Sequence, residues 1–267
     1  MTKRFKSYLQ NAGFADNTVH AYVDAVRLFY ARYGTVSEKN LLDYKAYLIG
    51  NFKPKTVNLR IQALNKYLSF LRKDTYKLKS VRDWKKPSLE NVISNADYRL
   101  LKRRLKADGL DQWYFIVWFM GATGARISEL LRIRAEDVRA GYVDLYSKGG
   151  KIRRIHIPDK LRQEAMEWIR REGLERGYLF RNRYGQVITS RGVSMRLHDF
   201  ALRYRIDPAV VHPHAFRHLF AKNFLDKHND ISLLADLLGH ESIETTRIYL
   251  RRSTSELYHV INHVVTW

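Results

Sequence analysis

Apolar residues recur at intervals of three and four through residues 1–74, and this periodicity limits the fold more than any other feature of the chain. One stripe passes through Val19 and Val26 and is expected to end at Gly34. A shorter helix is expected to stop at Gly50, and Pro54 then favours the first turn of another. The stripe of that last helix consists of Val57, Ile61, Leu64, Leu68 and Leu71. The sequence therefore predicts a helical N-terminal region.

The clearest strand pattern lies at 141–161, in the segment GYVDLYSKGGKIRRIHIPDKL. Val143 and Leu145 alternate with polar residues before a glycine turn, and Ile155 and Ile157 alternate after it, which predicts a hairpin. The surrounding sequence predicts further helices at 113–120, 161–169 and 190–204. The expected fold class is mainly α with a small β-sheet.

Helical periodicity lapses between Lys73 and Ser94. The interval predicts a helical domain at 1–74, a linker at 75–93 and a second domain at 94–267. The linker is rich in lysine and arginine, so it could lie along a polyanion or simply be solvated.

The formal net charge is +21, from 48 lysine and arginine residues against 27 acidic residues, and it predicts a polyanionic partner. Nucleic acid fits this charge better than a membrane, because the sequence has no apolar run of the roughly 18 residues that a spanning helix needs. The sequence lacks cysteine and begins without a signal-peptide pattern, so we expect a cytoplasmic protein, associated with the nucleoid if the source is a prokaryote or its mobile element.

The stretch from His212 to Tyr249 gathers side chains that suit phosphoryl transfer. Arg217 offers a fork of donors matched to phosphate oxygens, and His214 precedes it by one helical turn. His240 follows a glycine at an expected helix end, and Tyr249 supplies an oxygen nucleophile.

Two further motifs precede this stretch. In TGARISELL, Arg126 stands near an expected helix start, where an arginine opposes the helix dipole unless an anion also binds there. Glu129 lies one turn further on. In the hairpin, the turn SKGGKIR carries Lys148 and Lys151, and an ammonium group there could protonate a leaving oxygen or merely be solvated.

These motifs resemble those of the tyrosine recombinase (phage integrase) family, of the simple two-domain, Xer-like type. HxxRH, LLGH and a tyrosine after TTRI match its C-terminal signature, TGARISELL is similar to TGLRISEL, and SKGGKIR is similar to GKGxKxR. Ala125 and Ser147 depart from those patterns. The resemblance implies a helical core-binding domain and an α+β catalytic domain. The residues that it implies to be catalytic are Arg126, Lys148, His214, Arg217, His240 and Tyr249, with Glu129 and His218 supporting them.

The resemblance also implies a reaction. Tyr249 would attack a DNA phosphate and form a 3′-phosphotyrosine link, without metal, ATP or any other cofactor. His214 would act as the acid or base, and Lys148 would be the proton donor to the leaving oxygen in preference to Lys151. The implied partners are double-stranded DNA with specific recombination sites and further copies of the chain in a tetrameric synapse. A partner recombinase or accessory factor is compatible with the resemblance.

The tail after Tyr249 predicts a helix, because Ser253 and Glu256 form a capping-box pattern. Its apolar face would pack on its own domain or, as the resemblance implies, in a neighbouring subunit. Basic residues on predicted helices are candidates for DNA contact, although solvated faces look the same in sequence. They are Lys55, Arg60, Lys66 and Arg72 in the first domain, and Arg191, Arg196 and Arg203 in the second.

Three other functions fit parts of the pattern. A type IB topoisomerase would share the active-site residues, and a non-catalytic DNA-binding protein would share the charge. A metal-dependent nuclease could use His212, His214 and His218, but this segment lacks the carboxylates that hard catalytic metals favour.

Overall fold

The computed structural model describes residues 2–82, 92–146, 152–240 and 242–250, together with positions 258, 261, 262 and 265. The chain divides into two compact units, Met1–Lys85 and Lys86–Trp267. Helices predominate in both, and the described residues form one two-stranded sheet. This architecture confirms the predicted fold class, mainly α with a small β-sheet. Within the described ranges no helix is both long and apolar enough to cross a membrane.

The helical stripes of the first unit meet in one aromatic-rich core. Phe5, Phe29, Tyr44 and Tyr67 are each almost completely buried there. The edge-to-face contact of Phe5 with Tyr67, with centroids 4.9 Å apart, is a favourable aromatic geometry. The elements that surround this core are α1 (Thr2–Asn11), α2 (Asp16–Arg32), α3 (Glu38–Asn51), α4 (Pro54–Phe70) and a 3₁₀ turn at Asp74–Tyr76.

Of the two ends of α3, only the C-terminal end differs from the sequence prediction. Helix α3 begins at Glu38 because the Ser37 hydroxyl accepts a hydrogen bond from the Asn40 amide at 3.2 Å. The helix continues through Gly50 rather than stopping there, since a single glycine weakens a helix without breaking it.

Residues 77–81, which the sequence places in the linker, lie against α4. The Asn65 side chain accepts from the Leu78 amide and donates to its carbonyl, both at 2.8 Å. Asn58, two helical turns earlier, bonds Val81 in the same way at 2.8 and 3.0 Å. These paired amide contacts replace a strand partner, so this extended segment is held on the first unit.

The second unit is built around α6 (Asp111–Thr123), whose residues from Tyr114 to Met120 are all buried. Gly121 lies inside this helix, facing the Tyr98 ring, and Gly124, with φ of 63°, ends the helix. The remaining helices are α5 (Asn95–Ala107), α7 (Ile127–Leu130), α8 (Ala135–Ala140), α9 (Asp159–Arg171), α10 (Ser190–Arg203), α11 (Pro213–His228), α12 (Ile231–Leu238) and α13 (Ile243–Arg247). Short 3₁₀ turns lie at Pro208–Val210 and Ile248–Leu250.

The predicted hairpin is present as β1 (Tyr142–Tyr146) and β2 (Ile152–His156), paired antiparallel. Val143 pairs with Ile155, and both are buried, as their alternation predicts. The turn predicted between the strands falls at 147–151, outside the described residues, and so does Lys148.

Candidate active site

Arg217 is the most buried charged residue of the described chain, at 3% exposed. Its guanidinium donates 2.8 Å hydrogen bonds to the carbonyls of Gly124 and Leu238, at the C-terminal ends of α6 and α12. Helix-end carbonyls carry partial negative charge and lack helical partners, so they stabilise a buried cation. Burial lowers the pKa of Arg217 to about 10, which still leaves it charged at neutral pH.

His240 lies directly beside this guanidinium. Helix α12 ends at Leu238, and Gly239, with φ of 62°, turns the chain so that His240 Nε2 lies 2.9 Å from Arg217 Nη2. The other ring nitrogen lies 2.7 Å from the hydroxyl of Thr246. A guanidinium can only donate, so Nε2 accepts, and Nδ1 carries the proton and donates to Thr246.

The charge state of His240 follows from its neighbours. Burial and the positive charge of Arg217 lower the pKa of His240 to about 4, with smaller contributions from Arg126 and Arg153. The imidazole is therefore neutral near neutral pH.

Arg126 stands at the N-cap of α7, as the sequence predicts. Its amide donates to Glu129 Oε2 at 2.7 Å, and its Nη1 donates to Oε1 at 2.8 Å. Its Nη2 reaches the carbonyl of Gly239 at 3.2 Å. The side chain stays 40% exposed, so part of the guanidinium remains open to a ligand.

Arg153, on β2, is a site residue that the sequence analysis did not single out. Its Nη1 lies 2.8 Å from each carboxylate oxygen of Glu129, and its Nε and Nη2 donate to the carbonyl of Leu237 at 2.9 and 2.6 Å. Only 11% of the side chain is exposed. It is the last residue of the SKGGKIR motif, and its place there is the signal in the sequence that could have found it.

Tyr249 lies in the 3₁₀ turn after α13 and is 9% exposed. Its ring packs with Leu225, Leu234 and Leu238, and its hydroxyl lies 3.0 Å from His218 Nδ1. Burial raises the pKa of Tyr249, although the positive charge of Arg217 offsets part of that rise. The contact with His218 Nδ1 fixes the orientation of the Tyr249 hydroxyl, because a buried polar group keeps its hydrogen-bond partner.

His218 is neutral at neutral pH, because burial and the nearby His214 and His212 lower its pKa to about 4. His214, in contrast, is exposed on the first turn of α11, and its ring centroid lies 6.4 Å from that of His218. His212 caps the helix by accepting from the Ala215 amide at 3.2 Å. The nucleophile candidate thus contacts His218, while His214 lies further along the same helix face.

The basic candidates for DNA contact do not lie on common faces. Arg60 places its guanidinium 4.0 Å over the Phe52 ring, and the Lys66 ammonium lies 5.2 Å from the centroid of the Phe14 ring. Arg72 follows the end of α4 with φ of 57°, and Lys55 is exposed on the first turn of that helix.

On α10, Arg203 is paired with Asp108 at 2.7 Å and Arg196 approaches Asp199 at 3.7 Å, while Arg191 is exposed on the first turn. Their contact with DNA stays a prediction. Across the described ranges, no three histidine or acidic side chains come together in a way that could hold a metal ion.

Comparisons with known proteins agree on one family. The phage integrase family model matches residues 90–256. Tyrosine recombinase XerA of Pyrococcus furiosus is 28% identical over 264 residues, covering 96% of this chain and 90% of that protein. Tyrosine recombinase XerC of Pseudomonas putida is 35% identical over 133 residues, covering 48% of this chain and 44% of that protein.

Solved structures share the fold. A crystal structure of XerA recombinase aligns with a TM-score of 0.58 at 21% identity, covering 100% of this chain and 98% of that one. The Tn1549 transposon integrase in complex with transposon right end DNA aligns with a TM-score of 0.73 at 16% identity, covering 99% of each chain. The match of the family model over most of the second unit and the three motifs together lead to one conclusion: the chain belongs to the phage integrase family and is a tyrosine-type site-specific recombinase.

Proposed function

We propose that the chain exchanges DNA strands at specific sites through a 3′-phosphotyrosine intermediate, with Tyr249 as the nucleophile and without metal or ATP. The observation that carries the proposal is the contact of the Tyr249 hydroxyl with His218, which follows Arg217 on α11. Nucleophile, guanidinium and imidazole are thereby held in one unit of one chain.

Arg126 and Arg217 are proposed to bind the two non-bridging oxygens of the scissile phosphate. Each guanidinium has more N–H donors than its described contacts use, so donors remain for an anion. Donors that act on the charge growing in the transition state accelerate the reaction rather than only binding DNA. His240 is proposed to bind the phosphate as well. When a phosphate oxygen replaces His240 Nε2 as the acceptor of the Arg217 donor, the imidazole ring is free to donate a hydrogen bond to that oxygen.

The proton of Tyr249 needs an acceptor. In the proposed step the Tyr249 oxygen bonds to phosphorus, the bond from phosphorus to the 5′ oxygen breaks, and the phenolic proton leaves. His218 is proposed to orient the hydroxyl, and His214, the exposed imidazole on the same face, to be the acid or base that exchanges the proton with solvent. Lys148 is proposed to protonate the departing 5′ oxygen. A 5′-hydroxyl from another strand then reverses the step.

We propose that DNA binding and catalysis are assigned to different parts of the chain. Residues 1–74, within the first unit, would be the core-binding domain on DNA, and residues 94–267 the catalytic domain. The connection is proposed at 75–93, of which residues 77–81 pack on α4. Four copies are proposed to assemble on paired sites, each docking its C-terminal tail helix into its neighbour. Because donor and acceptor surfaces differ, such contacts are head-to-tail and can close a ring. A partner recombinase or an accessory factor would enter at this stage, and a nucleoid location would follow from DNA binding.

The decisive experiment is one incubation with nicked suicide DNA in excess chelator. We expect a protein–DNA adduct that survives denaturant from the wild type, and none from Tyr249→Phe. Tyr258→Phe is the matched control, because Tyr258 is the next tyrosine and is exposed. Cleavage only after metal is restored would support a nuclease instead. DNA binding by the wild type without adduct would support a non-catalytic protein.

A further inference from the structure

Three consecutive backbone carbonyls at the end of α12 each accept hydrogen bonds from a different arginine. Leu237 accepts from Arg153, at 2.6 and 2.9 Å. The next two carbonyls, Leu238 and Gly239, accept from Arg217 at 2.8 Å and from Arg126 at 3.2 Å. The C-terminal carbonyls of a helix have no partners within the helix, and they attract cations. This turn therefore collects guanidinium groups from β2, α11 and the start of α7.

Arg153 and Arg126 differ from Arg217 because both are also paired with a carboxylate, that of Glu129. Glu129 accepts from Arg153 and from Arg126, all at 2.7 to 2.8 Å. Burial alone would raise the pKa of Glu129, but the Arg126 amide and the charge of Arg153 outweigh it and hold that pKa below its ordinary value. Glu129 thus stays ionised between two cations, with only one of them open to solvent.

The turn also packs on the aliphatic part of Arg153. A Cβ added at Gly239 would lie 2.4 Å from Arg153 Cδ, so the absence of a side chain at Gly239 allows this approach. Arg153 therefore touches both groups that position the phosphate ligands: the carboxylate that holds Arg126 and the turn that leads into His240.

We propose that Arg153 is a positioning residue for strand cleavage, fixing Arg126 through Glu129 and fixing His240 through the Leu237 carbonyl. The inference rests on the proposed function. Without Arg153, Glu129 has Arg126 as its remaining cationic partner and draws that guanidinium away from the phosphate. The Leu237 carbonyl also loses both of its side-chain donors.

The test compares Arg153→Met with Arg154→Met. Arg154 is the next residue on β2 and also forms a two-pronged pair, with Asp144 at 2.8 Å, but its side chain is 47% exposed and faces away from the site. We expect Arg153→Met to slow single-turnover cleavage of suicide DNA by about tenfold to a hundredfold, with DNA affinity within about threefold. Arg154→Met should leave both unchanged.

Two readouts separate positioning from general damage. In an Arg126→Lys background, Arg153→Met should slow cleavage by no more than about twofold further, because the group on which it acts is already altered. On DNA with a neutral methylphosphonate at the scissile position, the deficit of Arg153→Met should shrink, since this group demands less of Arg126. A structural defect would give the same deficit on both DNAs.

Additive losses, an unchanged deficit on methylphosphonate DNA, or an equal loss in Arg154→Met would overturn the inference. If Arg153→Met does not fold, Arg153→Lys decides, because lysine keeps the charge but cannot bridge Glu129 and Leu237. Wild-type cleavage by that variant would overturn the inference as well. Absence of adduct from the wild-type protein would instead count against the proposed function.

Discussion

Arg217 keeps a full positive charge in the interior because its acceptors are dipoles rather than a carboxylate. A buried ion is costly unless it is paired or hydrogen-bonded, and the Gly124 and Leu238 carbonyls meet that need. Among the described residues no acidic side chain forms an ion pair with it. Its charge is therefore not cancelled, in contrast to that of Arg153 beside Glu129. An uncancelled buried cation suits the binding of a phosphate.

At the residue scale, the neutral histidines predict how stability depends on pH. His218 has a pKa of about 4 in the folded chain against 6.5 ordinarily, so the unfolded chain binds more protons between these values. The contribution of neutral His218 to the free energy of unfolding is fully present above about pH 6.5 and is lost as the pH falls toward about 4. We expect the melting temperature to drop between about pH 7 and about pH 5, and to drop less in His218→Gln. Parallel losses in both proteins would contradict this origin.

Lys148 supplies a second prediction at this scale. Lys148→Ala should slow cleavage by about a hundredfold with little loss of binding, because the leaving alkoxide lacks its proton donor. DNA with a 5′-bridging phosphorothiolate should restore the rate, since a thiolate departs without a proton. Lys151→Ala is the control from the same turn. If the sulfur substrate rescues Lys151→Ala instead, the role belongs to Lys151.

At the scale of elements, the C-terminal end of α12 connects the three arginines of the site through its backbone carbonyls. Gly239→Ala should lower the free energy of unfolding by more than the roughly 1 kcal/mol that a left-handed backbone costs alanine, because its Cβ also meets Arg153. Gly173→Ala is the matched control, with φ of 61° and no atom near the added Cβ. We expect slower cleavage only from the first variant. Equal losses of stability in urea titrations would show that the contact with Arg153 contributes nothing.

The spacing of apolar residues predicted the helices and the hairpin, but it did not predict contacts between residues distant in the sequence. Alternation placed Val143 and Ile155 on the buried face of the hairpin, because that pattern is written in neighbouring residues. Arg153 ends the SKGGKIR motif, but its role could not be predicted from neighbouring residues, since its partner Leu237 is 84 residues away. His218 could be named only as a supporting residue because its contact depends on where the turn that carries Tyr249 folds back.

At the scale of the whole molecule, the charge of +21 and the proposed tail docking predict separable behaviours. Deleting residues 254–267 should leave binding to a single site nearly intact, because the basic residues singled out for DNA contact all precede the deletion. Cooperative binding and strand exchange should weaken, since the head-to-tail contact is lost. Both are measured on one two-site DNA. Recombination at the wild-type rate would refute docking in a neighbour, and an unfolded product would place the tail in its own domain.

The most direct test of the central claim is the identity of the residue that becomes linked to DNA. Trypsin, cleaving after Arg247 and Arg251, releases the peptide Ile-Tyr-Leu-Arg, in which Tyr249 carries the only side-chain hydroxyl. After suicide cleavage, nuclease trimming and digestion, mass spectrometry should find this peptide with a nucleotide attached through its 3′-phosphate. A nucleotide on any other peptide, or a link through a 5′-phosphate, would contradict the account.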